Sequence, residues 1–199
     1  MLNDLSPGSD VNLQLFARKH GGDYVMRSER RGGYGSPPSD ASGGKRRKKK
    51  RAGASIEEAH AFAEQLIPRL AHWFTVSDLY FLKNGGRISG TVALLGSMLH
   101  IKPVMHASDE GKLENVSKAR GRGNAIKALC EHMKETAVNP KEQVVFISHG
   151  GCYDDAVLLA DMIRSEIGCK EIHINYVGPV IGAHSGPGTL ALFFIAEHR

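Results

Sequence analysis

Four short polar segments carry the residues best suited to chemistry: NGGRIS with Arg87, KARGRG with Arg120 and Arg122, ISHGG with His149, and GAHSGPGT with His184, Ser185 and Thr189. A guanidinium offers five donors in a planar fork, which suits a carboxylate or a phosphate. Glycines beside it let a ligand come close to the backbone. The same arginines would equally serve as solvated cations at a helix end, where the dipole is negative. His184 also has two readings. It is a proton carrier or charge partner near neutral pH, beside an anion nest made by Gly182, Ser185 and Gly186, or it caps a tight connection fixed by Pro187. His149 reads as a hydrogen-bonded turn histidine.

Other chemistries find little support. His60, His72, His100, His106 and His173 lack the spacing of zinc ligands, so no metal is expected. Cys130, Cys152 and Cys169 form no CxxC pair and read as reduced thiols. The sequence holds no GxxxxGK[ST], HExxH or GxSxG motif, which argues against a self-sufficient nucleotide-using enzyme. A hydrolase built on His184 and Ser185 is disfavoured, because adjacent residues rarely aim their side chains at each other and no carboxylate is spaced to orient the histidine.

These segments need elements to position them. SIEEAHAFAEQLIPRLAHWF opens with Ser55 and Glu58 in capping-box spacing. Ile56, Ala59, Phe62 or Ala63, and Leu66 follow as one apolar stripe, and Pro68 should end the helix near Ile67. Ser77 and Asp78 can start a short helix that Gly85 and Gly86 stop. TVALLGSMLHIK places Val92, Leu95, Met98 and Leu99 on one helical face and leads to a strand at KPVMHAS. DEG turns that strand back into a second one, KLENVSKAR, and NAIKALCEHMKETA is an amphipathic helix. EQVVFISHGG, DDAVLLADMIRSEIG and KEIHINYVG then form a βαβ unit with a parallel strand pair. TLALFFIAE is one more buried strand. The fold class is α/β, a mixed sheet flanked by helices.

Charge divides the 199 residues. Of 26 Lys/Arg and 21 Asp/Glu, 12 and 5 lie in residues 1–52, leaving a body that is slightly acidic. The first 52 residues, rich in glycine and ending in the cation run Lys45 to Arg51, read as a disordered basic arm. No run approaches the roughly 20 apolar residues of a membrane span, and the start lacks a signal-peptide layout. The expected location is the cytoplasm.

The order of the motifs resembles the DegV family of bacterial lipid-binding proteins, which includes the fatty-acid-binding subunits of fatty acid kinase. The resemblance rests on HWFTVSDLYFLKNGGRISGTVALLGSMLHIKPVMH, KLENVSKARGRGNAIKAL, VVFISHGG and INYVGPVIGAHSGPGTLALFF, and runs from about Ala54 onward. It implies two α/β lobes with a long-chain fatty acid between them as ligand and no other cofactor. A separate ATP-binding kinase subunit would phosphorylate the carboxylate to an acyl phosphate for phospholipid synthesis. The binding subunit would have no catalytic residue of its own.

Carried onto this sequence, the resemblance implies that Arg87, Arg120 and His184 face the carboxylate and the kinase. It likewise implies that Val92, Leu95, Met98 and Leu99 line the lipid tunnel. The family's opening strand, its TSQPS-like loop and its SSGLSGT-like loop have no counterpart here, so the N-terminal lobe is expected to be largely missing. The implied organisation is an arm over 1–52, a remnant helix of the first lobe over 53–73, and a C-terminal α/β lobe over 74–199. The rival reading is a lobe without lipid binding, tethered to nucleic acid or an anionic surface through Lys45 to Arg51.

Overall fold

A computed structural model describes residues 55–88 and 100–198, together with four two-residue strands nearer the N-terminus. Those four are β1 (Asn12–Leu13), paired with β4 (Ser28–Glu29), and β2 (Lys19–His20), paired with β3 (Asp23–Tyr24). The rest of the expected arm, Lys45 to Arg51 included, lies outside the described residues, and so do Val92, Leu95, Met98 and Leu99.

Helix α1 (Ile56–Leu66) starts where the capping box places it. Ser55 N–H donates to Glu58 Oε2 at 2.8 Å, and Glu58 N–H donates to Ser55 Oγ at 3.2 Å. Two of the helix's unpaired amides are thereby satisfied. The helix tightens into a 3-10 turn over Ile67–Arg69, with Pro68 inside it.

The chain then enters a six-stranded sheet of order β7-β6-β5-β10-β8-β9. Its strands are β5 (Leu70–Thr75), β6 (Ile101–Ala107), β7 (Leu113–Arg120), β8 (Val144–His149), β9 (Glu171–Tyr176) and β10 (Leu190–Ile195). β8 and β9 are parallel, joined through α4 (Tyr153–Glu166), and the other neighbours are antiparallel. Strands β5, β7, β8 and β9 therefore all end at one edge of the sheet.

β10 explains the unbroken apolar run LALFFI. It lies between β5 and β8, and all six of its residues are buried. A strand covered on both faces has no solvent side on which to alternate. Leu190, Leu192 and Phe194 join the core beneath α3 (Arg122–Thr136) and α4, with Ile126, Leu129, Met133, Leu159 and Ile163. Ala191, Phe193 and Ile195 join a second cluster on the other face with Leu66, Leu70, Phe74, Met105 and Phe146.

The structure corrects the sequence reading at two elements. LAHWFT is a strand, so the sheet begins at Leu70, before the expected boundary at 74. Its alternation is visible once the register is known: Ala71 and Trp73 face the first core, Leu70 and Phe74 the second. VGPVIGAHSG is not a bare turn but the helix α5 (Pro179–Ser185), which Pro179 starts. Among the described residues no helix is long and apolar enough to cross a membrane.

Candidate functional site

All four polar segments meet the edge where β5, β7, β8 and β9 end. Leu190 of β10 pairs with Thr75 on one side and with His149 on the other, His149 pairs with Tyr176, and Ile101 pairs with Arg120. Loops beyond strand C-termini are where α/β sheets place ligands.

Arg87 and His184 are brought together from 97 positions apart: Arg87 Nη2 lies 3.4 Å from His184 Nε2. Asp78 Oδ1 accepts from Tyr80 N–H at 2.8 Å and starts α2 (Tyr80–Asn84). The chain then turns at Gly85, whose carbonyl accepts from Arg87 Nη1 at 2.7 Å. α5 packs against α2 from the other side, carrying His184 in its last turn. The approach is so close that a Cβ on Gly85 would overlap the imidazole. Arg87 is exposed and His184 half-buried, so the pair faces solvent.

The loop after α5 is clasped by the end of β8. Gly150 N–H donates to Thr189 O and Gly188 N–H to Gly150 O, both at 2.7 Å, and Thr189 Oγ donates to Gly186 O at 2.8 Å. Gly188 has φ +77°, and a Cβ there would overlap Ser77 Oγ. The glycines of this loop therefore serve close packing. The expected anion nest does not form: Gly182 N–H donates to Gly178 O and Gly186 N–H to Gly182 O, each at 2.8 Å, and Ser185 Oγ donates to Ile181 O at 2.8 Å. Helix formation has already used these donors.

The other basic residues divide by role. Arg122 Nε donates to Asp155 Oδ2 at 2.9 Å and its Nη2 to Cys152 Sγ at 3.4 Å, so it ties α3 to the start of α4. Cys152 Sγ–H in turn donates to Thr189 O at 3.3 Å. Burial pushes this thiol's pKa up, with Arg122 opposing. Arg120 is exposed at the end of β7, two strands out from β5 and about 10 Å along the sheet at ordinary strand spacing. It shares the edge with the Arg87–His184 pair but stands apart from it.

His149 differs from the expected turn histidine. It is the last residue of β8, 1% exposed, and its Nδ1 has no hydrogen-bond partner. Desolvation lowers its pKa, so the ring is neutral near pH 7. The signal was present in VVFISH: Val145, Ile147 and His149 alternate onto one face. Among the described residues no group of three or more His, Cys, Asp or Glu is placed to hold a metal ion.

The described residues thus form a mixed α/β sheet that carries a solvent-facing arginine–histidine pair at its strand ends. The chain belongs to the DegV family, whose model, described as uncharacterised protein, DegV family, matches residues 45–197. A DegV domain-containing protein of Clostridium perfringens is 47% identical over 147 residues, covering 74% of this chain and 50% of that protein. The chain thus spans about half the length of the curated relatives it matches. A fatty-acid-binding DegV family protein from Thermus thermophilus superposes with a TM-score of 0.70 at 30% identity, covering 78% of this chain and 55% of that one. The same fold recurs in the Streptococcus pneumoniae Fatty Acid Kinase (Fak) B3 protein loaded with linoleic acid, at a TM-score of 0.73 and 20% identity, over 79% and 56% of the two chains.

Proposed function

We propose that this chain contributes a fatty-acid-binding lobe that presents an acyl carboxylate to a separate, ATP-binding kinase subunit, which forms the acyl phosphate used in phospholipid synthesis. The observation that carries the reading is the Arg87–His184 pair at an exposed strand-end edge. Fatty acid binding by the Thermus thermophilus relative supports the ligand class. The missing nucleotide-binding motifs of the sequence support a second protein as phosphoryl donor.

The chemistry follows from the two side chains. Arg87 is always a donor, so at its contact with His184 the guanidinium donates and Nε2 accepts. An anion arriving between them would accept from the planar donor fork of the guanidinium, which suits a carboxylate or a phosphate. Both groups would then face the carboxylate and the phosphoryl group transferred to it, offsetting charge that builds up in transfer. Arg120 would extend the cationic edge toward the kinase. Val92, Leu95, Met98 and Leu99 would line the apolar path of the acyl chain.

Acyl-phosphate formation by the purified kinase subunit, with this chain as the lipid carrier, tests the reading. Arg87→Ala and His184→Ala should each lower turnover by about 100-fold, the scale of losing one charge-stabilising group. Their circular dichroism should match the wild type. Turnover at the wild-type rate in both variants would refute the assignment.

A further inference from the structure

Among the described residues, four buried side-chain polar atoms have no hydrogen-bond partner, and three of them belong to one end of one sheet face: Thr75 Oγ1, His149 Nδ1 and Arg122 Nη1. Thr75 and His149 flank Leu190 in a cross-strand row and are 0% and 1% exposed. His149 follows Val145 and Ile147 onto the face beneath α3 and α4. Its ring centroid lies 5.6 Å from that of Tyr153, the first residue of α4. Arg122 reaches the same turn from α3, through Cys152 and Asp155, and has Nη1 to spare. The opposite face carries α2, whose Leu82 packs in the second cluster, and with it the Arg87–His184 pair.

Both helices begin here without a side-chain cap: Gly121 precedes α3, and Cys152, the N-cap of α4, turns its thiol to Thr189 O. First-turn amides have no partner within a helix, and the dipole makes that end positive. Gly121, Gly123 and Gly151 leave open space where side chains would stand. A buried polar atom left unpaired costs stability, so three of them beside two uncapped helix starts point to a ligand that pairs them. We propose that this end of the sheet is a binding site for a phosphate group, held by Arg122 Nη1, His149 Nδ1 and the first-turn amides of α4. Arg122 and the amides can only donate, and a neutral imidazole can carry its proton on Nδ1. Donors arriving from β8, α3 and α4 suit a tetrahedral oxyanion, whose oxygens diverge, better than a flat carboxylate. A strand, a glycine turn and a helix N-terminus within a βαβ unit are also the ordinary setting for a phosphate. Asp155 is already engaged by Arg122, and Asp154, exposed in the same turn, is a carboxylate that opposes the anion. The site stands independently of the lipid reading.

The test is heteronuclear NMR of the full-length chain titrated with inorganic phosphate at fixed ionic strength. The amide of Tyr153 and the ring nitrogens of His149 should shift and saturate, and acetate should not displace the anion. His149→Phe, which keeps a buried ring without nitrogen, should weaken binding at least about 10-fold, the scale of losing a hydrogen bond to a charged group. Asp154→Asn alters only an exposed side chain and should tighten binding about 2- to 5-fold, the scale of one charge at a helix N-terminus. It decides the matter if His149→Phe folds poorly. A nucleoside monophosphate as second probe separates the sources: equal or weaker binding marks free phosphate as the ligand, and tighter binding marks a phosphate carried on a larger molecule. The proposal is overturned by the absence of a saturable shift, by equal displacement with acetate, or by unchanged affinity in a folded His149→Phe chain or in Asp154→Asn.

Discussion

A methyl group on Gly188 would strike Ser77 Oγ at a backbone φ of +77°, a conformation that side chains disfavour. Gly188→Ala should therefore destabilise the fold by about 1–3 kcal/mol, the cost of a strained backbone residue. Gly123, in the first turn of α3, faces open space, and Gly123→Ala should stabilise by up to ~1 kcal/mol. Urea unfolding of the two variants separates packing glycines from permissive ones. A titrating residue lies on α3 itself: His132 stacks on Trp73 with ring centroids 3.7 Å apart, and His106 stacks on Trp73 at 5.1 Å. Burial lowers the pKa of His132, with Glu135 opposing and His106 adding to the shift. The unfolded chain then binds this proton first, so stability is intact above about pH 6.5 and declines as pH falls through the folded value. Melting temperature should drop between pH 7 and pH 5, and His132→Phe, which keeps the stack without the charge, should flatten the slope. At this scale the sequence singled out Arg87 and His184 as candidates for holding an anion. It could not show that they touch, because their contact depends on two short helices packing against each other. Nor could it separate Arg122 from Arg120, since only the fold brings Asp155 and Cys152 to the former.

Gln143 shows how one polar side chain can hold an element in place. Its Oε1 accepts from Ile195 N–H at 2.7 Å and its Nε2 donates to Ile195 O at 2.7 Å and also to Val138 O, all at the end of the central strand β10. Ile195 O also accepts from Val138 N–H at 3.0 Å, but Ile195 N–H would be left buried and unpaired without the glutamine. Gln143→Leu should cost about 1–3 kcal/mol, the desolvation penalty of that orphaned donor. Hydrogen exchange should quicken at Ile195 before it changes at Leu190, on the other end of the same strand. Elements with strong periodicity or caps were legible: the capping box of α1, the β6–β7 hairpin, and the parallel β8–α4–β9 unit. β5 was hidden because LAHWFT starts only two residues after Pro68 with no turn residues between, and His72 and Trp73 blur its alternation. α5 was hidden because Gly182 and the flanking glycines carry weak helix propensity. Packing against α2 overrides that propensity.

Across the whole molecule, every pairing of the six-stranded sheet joins residues between Leu70 and Ile195. Among the described residues, the core beneath α3 and α4 is likewise drawn from residues between Ala71 and Ala196. The second face depends on α1, through Leu66, and on Leu79 and Leu82 near α2. Cooperative folding should therefore need α1 but not the basic segment before it. We propose that residues 1–52 form an appendage to a body that folds without them. Deleting 1–52 should leave one unfolding transition, with a melting temperature within about 4 °C of the full chain, a shift of roughly 1 kcal/mol or less for a body of this size. Differential scanning calorimetry of the two chains reads this directly. Extending the deletion through Leu66 removes one wall of the second cluster and should lower the melting temperature well beyond that margin. If deleting 1–52 alone produced the larger loss, the segment would be covering the Phe74, Phe146 and Phe193 face. The acyl chain proposed for this lobe would then have to compete with it for the same apolar surface.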